Sequence, residues 1–281
     1  MKVAIRKCLN VGLDLFLSRR RQQKLGGYTE HRARGENNDD ASTNGEYTLL
    51  RRIATAGLEL KTIFDVGANR SDWTVRACRL FGGDARIFVF EPVPETHAFL
   101  TKQLGALPAP SRTYAIHLAL GVTDGTATMH VSGHLAGSDS IFQRHGTHVQ
   151  SARTEHVTLQ RGDSFCREGA IRRINLLKID TEGNEMAVLH GFDAMLAKQA
   201  VDVIQFEYGG TWIDARAYLG DAFAYLQPRG YRLGKIHLAM VAFYENYDQR
   251  LENFAYANWI AVRPALLAVF PEIWGKEADR S

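Results

Sequence analysis

Residues 62–69 read Thr62-Ile63-Phe64-Asp65-Val66-Gly67-Ala68-Asn69, an apolar run that stops on a glycine and a polar turn. A short β-branched and aromatic run bounded by a turn signal is a buried strand. The spacing that follows, Asp72 to Leu80, is helical, and Arg86 to Phe90 is a second strand stopped at Glu91-Pro92, since proline cannot continue a ladder. The rhythm then recurs along the chain. Glu95 to Leu104 reads as a helix, Tyr114 to Leu120 as a strand, Ile174 to Ile179 as a strand and Asn184 to His190 as a helix. Val201 to Phe206, a helix near Asp214 to Leu226, Tyr231 to Ile236 and a last strand over Phe254 to Val262 complete it. Near-continuous apolar strands alternating with helices specify an α/β fold, a doubly wound parallel sheet covered on both faces. The stretch from Thr126 to Val157 breaks the rhythm and is expected to be a β-hairpin followed by a loop. No internal repeat is present.

Upstream of this region the character changes. Ile5, Leu9, Leu13 and Phe16 recur at helical spacing beside Lys2, Arg6 and Lys7, with Arg19-Arg20-Arg21 behind them. Residues 2–17 therefore read as an N-terminal amphipathic helix. Residues 2–21 would lie on an anionic membrane surface or, alternatively, pack on the main domain or a partner subunit. Residues 34–45 are polar and turn-rich and read as a linker or mobile loop, so the chain divides into 1–45 and a domain over 46–281, whose first helix starts near Glu46.

Composition narrows the classes. The 281 residues include 45% apolar side chains, enough to bury a sizeable core, and the net charge of +3 lacks the basic excess of a nucleic-acid binder. Cys8, Cys78 and Cys166 are widely spaced and odd in number, which fits a reducing, cytoplasmic setting better than a disulfide framework. No stretch of about eighteen apolar residues is present to span a membrane. Asp14 interrupts the first apolar run, and no small-residue cleavage pattern precedes the arginines, so a secretory signal is rejected.

Ligands of such sheets bind beyond the carboxyl ends of the strands, beside the first one. Asp65, Gly67 and Asn69 stand there after strand one, and Glu91 after strand two, where a carboxylate can accept hydrogen bonds from both ribose hydroxyls. A dinucleotide is disfavoured because no Gly-x-Gly-x-x-Gly turn follows: after Gly67 come Ala68, Asn69, Arg70 and Ser71. Asp65 would repel a pyrophosphate but attract the ammonium and sulfonium of S-adenosylmethionine. The expected activity is therefore methyl transfer. A dinucleotide-dependent oxidoreductase and a non-catalytic binding module of the same fold are the alternatives.

The chain resembles the FkbM-type methyltransferases in Ile63 to Asn69, in Val89-Phe90-Glu91-Pro92, in Ala119-Leu120-Gly121 with Asp124-Gly125, and in Val203 to Glu207. The most specific segment is Leu177-Lys178-Ile179-Asp180-Thr181-Glu182-Gly183-Asn184-Glu185. The resemblance spans residues 46–262. It implies a class I methyltransferase sheet of seven strands, the last antiparallel, with S-adenosylmethionine as cofactor and a hydroxyl of a sugar, glycan or polyketide-type secondary metabolite as acceptor. Gly162, Thr181 and Asn184 depart from the commoner family residues.

Asp180 and Glu182 follow the fourth strand, beside the expected methyl group, and are the candidate catalytic residues: a carboxylate there orients a hydroxyl or takes its proton. For Glu182 the other reading is an acid at a helix start. Glu207, ending the fifth strand, is a third carboxylate near the same mouth. Oxygen ligands of this kind suit magnesium, yet no spacing demands it, and no metal is assigned. Histidines 117, 130, 134, 145, 148 and 156 read as loop surface or as one general base, and His190 as a solvated or capping residue near a helix end. Ser138-Asp139-Ser140 reads as an acceptor-facing loop, and Tyr208 and Trp212 as either a stacking face for a sugar or core.

Overall fold

The computed structural model describes residues 18–107, 112–133, 137–144 and 151–269. The expected helix over residues 2–17 lies outside them, as do His134, His145 and His148.

The element that fixes the sheet is β1 (Thr62–Val66), in which every residue is buried. It pairs in parallel with β2 (Arg86–Phe90) on one side and β7 (Ile174–Ile179) on the other. Beyond β2 lies β3 (Thr113–Ile116), and beyond β7 lies β8 (Val201–Tyr208), both parallel. Because successive strand residues face opposite sides, the same strands feed two separate cores. Ile63, Leu176 and Val203 pack with Leu49, Leu50 and Ile53 of α2 (Glu46–Thr55) and with Trp73 and Ala77 of α3 (Asp72–Phe81). Phe64, Leu177 and Ile204 pack on the other face with Leu189, Phe192, Trp212 and Phe223.

The sheet has eight strands, not the expected seven. Its order is β10-β9-β11-β8-β7-β1-β2-β3. β11 (Ala257–Val262) runs antiparallel to both β8 and β9 (Arg232–Ile236). The additional strand is β10 (Val241–Tyr244), an edge strand folded back on β9. The hairpin tip between them carries exposed Leu238 and Met240 instead of the usual glycine or asparagine turn, so the sequence gives no break there.

The irregular middle region is a second, three-stranded sheet, in the order β4-β6-β5. β5 (Gly125–Val131) and β6 (Arg153–Gln160) pair antiparallel from Gly125↔Leu159 to Val131↔Arg153. The expectation of a hairpin followed by a loop is corrected: the long connection lies between the two strands. β4 (Ala119–Leu120) joins β6 in parallel, and Val93, Ala119, Met129, Val131 and Val157 form a small core beneath.

The stretch expected to be a free linker is tied down. Glu36 is 5% exposed, and its carboxylate is ion-paired with Lys235 of β9 and accepts from Asn253 Nδ2 at 3.0 Å. Asn37 donates its backbone N–H to Tyr256 and accepts that residue's N–H on its side chain. In front of this strap, α1 (Arg19–Arg34) has no buried residue. It was not foreseen as a helix because it is polar all round and shows no apolar stripe.

Candidate functional site

β1 ends at Val66, whose carbonyl accepts the Asp180 N–H at 2.9 Å, so the turn after β1 lies against the turn after β7. Gly67 sits in this contact at φ +80°, and a Cβ there would stand 1.9 Å from the Asp180 carbonyl oxygen. No other residue satisfies both constraints. The chain then passes Asn69, whose N–H donates to Glu91 Oε2 at 3.0 Å, while Val93 N–H donates to Glu91 Oε1 at 2.9 Å. Glu91 is thereby fixed at the end of β2 with one further lone pair on each oxygen. Burial pushes its carboxyl up to about 7, against the pull of the two N–H donors.

These residues open on a cavity of about 520 Å³. Gly67, Asn69, Glu91, Asp180 and Glu182 all line it, with Pro92, Leu118 and Ala119 forming an apolar wall beside Glu91. Asn69 Oδ1, buried there, has no hydrogen-bond partner among the described residues.

Asp65 is the exception, and its expected direct contact with a ligand is corrected. The side chain is fully buried and does not line the cavity. Its carboxylate accepts from the Thr74 hydroxyl, and Oδ1 lies 3.7 Å from Lys178 Nζ. Strand register explains this, since Asp65 is paired with Lys178 of β7 inside the sheet. Lys178 is the residue that joins Asp65 to the site. Its ammonium, 5% exposed, reaches Asp180 Oδ2 at 2.9 Å. Burial alone would lower the Lys178 pKa, but the surrounding carboxylates of Asp180, Asp65 and Glu46 outweigh it and raise the group. Burial likewise works against ionisation of Asp180, and Lys178 overrides it, holding that carboxyl below the usual range. A lysine inside the apolar run Leu176-Leu177-Lys178-Ile179 was the signal available in the sequence.

The turn after β7 is organised by Glu185, which is fully buried and accepts the N–H of Thr181 at 2.8 Å and that of Gly183 at 3.0 Å. Glu185, not Glu182, therefore begins the helix over Glu185–Gly191. Glu182, in the left-handed region at φ +56°, points to the cavity and is ion-paired with Arg144. Burial pushes the Glu182 carboxyl up to about 7, with help from the Asp180 charge and against Arg144. Ser140 Oγ donates to the Glu182 carbonyl at 2.8 Å, and Asp139 also lines the cavity, so the Ser138-Asp139-Ser140 loop does form one wall.

Asp180, Glu182 and Glu207 each offer a carboxylate oxygen within 4.8 Å of the other two. The positive charge beside this cluster comes from Lys178 and Arg144. Trp212 and Tyr208 are buried core residues, and Trp212 Nε1 donates to the Glu207 carbonyl at 3.0 Å. His117 stacks on His97, and His190 packs against Tyr225. None of the described histidines lines the cavity.

The model of the FkbM methyltransferase domain matches residues 65–233, more than half of the chain. The chain belongs to the FkbM methyltransferase family. It is accordingly an S-adenosylmethionine-dependent methyltransferase, and the dinucleotide and non-catalytic alternatives fall away. Among curated proteins it is similar to the hexuronic acid methyltransferase AglP of Haloferax volcanii, 26% identical over 179 residues, covering 63% of this chain and 69% of that protein. It is also similar to methyltransferase 1 of Beauveria bassiana, 27% identical over 146 residues, covering 47% of this chain and 58% of the relative. A crystal structure of methyltransferase FkbM from Methylobacillus flagellatus superposes with a TM-score of 0.45 at 13% identity, covering 72% of this chain and 43% of that one.

Proposed function

We propose that this FkbM-family enzyme methylates a hydroxyl of a sugar or glycan. The observation that carries the reading is that Glu91, at the end of β2, and Asp180, at the end of β7, line one cavity. The name of the Haloferax relative, a hexuronic acid methyltransferase, supports a sugar over a polyketide-type acceptor.

The residues present fit S-adenosylmethionine. Glu91 has acceptor capacity for the two ribose hydroxyls, Leu118 and Ala119 offer an apolar wall for the adenine, and Gly67 and the unpartnered Asn69 Oδ1 face the same space. When bound, the cofactor supplies a methyl carbon to the acceptor oxygen, its sulfur keeping the electron pair of the broken bond. Asp180 orients the acceptor hydroxyl and takes its proton on a carboxylate oxygen, which Lys178 keeps ionised at neutral pH. Glu182, through its ion pair with Arg144, holds the opposing wall. Alignment is the main requirement of an in-line displacement, and Asp180 is held by Lys178 while Glu182 is held by Arg144.

The test is incubation of purified enzyme with methyl-labelled S-adenosylmethionine and a panel of neutral sugars, uronic acids and polyketide aglycones. Label is expected on a sugar oxygen, and Asp180→Asn is expected to lower kcat by about 10²–10⁴ with cofactor affinity within a few-fold. Transfer to aglycones alone, or to nitrogen or carbon, would sink the reading. Chelator is expected to leave the rate unchanged, and a loss restored by magnesium would overturn the assignment of no metal.

A further inference from the structure

β7 and β8 run in parallel with Ile179 opposite Phe206, so Asp180, just past the end of β7, and Glu207, near the end of β8, come next in register side by side. Each offers a carboxylate oxygen within 4.8 Å of the other's, and Glu207, 7% exposed, lines the cavity. Two buried carboxyls this close do not both stay ionised, so one of them holds a proton. Lys178, 2.9 Å from Asp180, settles which of them keeps the charge.

We propose that Glu207 is a positioning residue of the active centre, carrying the proton that bridges it to Asp180, so that the site holds one carboxylate and one carboxylic acid. The inference rests on the role given to Asp180 above. The charged groups that face Glu207 agree with it. From the turn after β7 these are Asp180, Glu182 and Glu185, all acids. From β11 and the residues before it come Asn258, its register partner, and Tyr256, both uncharged. Among the described residues, the nearby cations are already engaged, Lys178 by Asp180 and Arg144 by Glu182. An ionised carboxylate has about four acceptor positions. Glu207 and Lys178 use two of those on Asp180 and fix its plane, and the remainder serve an acceptor hydroxyl.

Isotope-edited infrared spectroscopy of the full-length protein with S-adenosylhomocysteine reads the bridging proton directly, whatever the acceptor. The measurement belongs at about pH 8.5, where carboxyls with ordinary values or values near 7 are ionised. The wild-type minus Glu207→Gln difference spectrum is expected to show a protonated-carboxyl band, free of any contribution from Asp65, whose carboxyl burial also pushes up. In Asp180→Asn, with the neighbouring charge removed, the band's titration midpoint is expected to fall by about one unit or more. No such band in the difference spectrum, or a midpoint unmoved by Asp180→Asn, overturns the proposal. Should Glu207→Gln fail to fold, the Asp180→Asn shift decides alone. If the band behaves as expected while Asp180→Asn retains full methyl transfer, the shared proton is established, and the role assigned to Asp180 is what fails.

Discussion

Gly67 and Asp65 are two residues apart and were expected to act together, yet the fold gives them different work. Gly67 is fixed by the Asp180 carbonyl pressed against it, and Asp65 acts from inside the sheet through Lys178. What distinguishes them is strand alternation and register, which place Asp65 opposite Lys178 and leave Glu91 at the cavity wall. Glu91 is therefore the residue on which cofactor affinity should turn. Replacing it with glutamine keeps the shape but removes a charge-assisted hydrogen bond, a loss of about 1.5–3 kcal/mol, or roughly tenfold or more in S-adenosylhomocysteine affinity by titration calorimetry. Its pH dependence follows from the carboxyl being pushed up to about 7 in the free protein. The ionised form is the better acceptor for ribose hydroxyls, so wild-type affinity should rise as pH increases through about 7. In Glu91→Gln that rise should flatten, and an equally steep profile in the variant would assign it to another group.

Among the elements, strands buried on both faces were legible in the sequence, because burial on both sides left one interpretation. β1, β7 and β8 are apolar throughout apart from residues at their ends and the buried polar row of Asp65, Lys178 and Gln205. The site was legible for the same reason, because strand ends are marked by Asp-x-Gly, Glu-Pro and Asp-x-Glu-Gly. Glu207 was placed at the same mouth and lines the cavity, whereas Lys178 and Arg144 were less visible, since their meaning depends on pairings across strands and loops distant in sequence. The strap at residues 36–45 was read as a linker because polarity alone does not distinguish a solvated segment from one whose charges are paired in the interior. That pairing is testable. Glu36 and Lys235 are both nearly inaccessible, with side chains 2% and 7% exposed. Removing one partner leaves a buried charge, so Lys235→Met or Glu36→Gln should each destabilise by about 3–5 kcal/mol in urea unfolding. The double variant should recover much of that loss, and simple additivity of the two single losses would show that the pair is not coupled.

Over the whole molecule, the buried carboxyls set how stability varies with pH. Burial pushes Glu46, Glu91, Glu182 and Glu185 up to about 7. A group raised in the folded state binds its proton more tightly there, so its contribution is complete below the unfolded value and is lost as pH rises through the folded one. Glu36 and Asp180 are held low by their lysines, despite burial, and lose their contribution as pH falls below the ordinary carboxylate range. The apo protein should therefore melt highest at mildly acidic pH and lose Tm between about pH 5 and 8, and a Tm that climbs across that window would contradict these environments. The helix α1 obeys a different electrostatic rule, because none of its residues is buried. α1 carries six Arg or Lys against one Glu and has no buried residue, and no helix of the described residues is long and apolar enough to cross a membrane. We propose that this helix, with the amphipathic segment before it, docks on an anionic membrane surface, where each basic side chain near the lipid contributes about 1 kcal/mol that salt screens. The strap dictates where to cut: deletion must stop before Glu36, whose pairing with Lys235 belongs to the domain. Removing residues 1–34 should leave S-adenosylhomocysteine affinity within a few-fold while abolishing co-sedimentation with phosphatidylserine vesicles at low salt. Full-length protein should detach as salt is raised. If it ignores such vesicles even at low salt, the helix serves a protein partner, and if the truncated protein still sediments, the basic surface responsible lies on the domain.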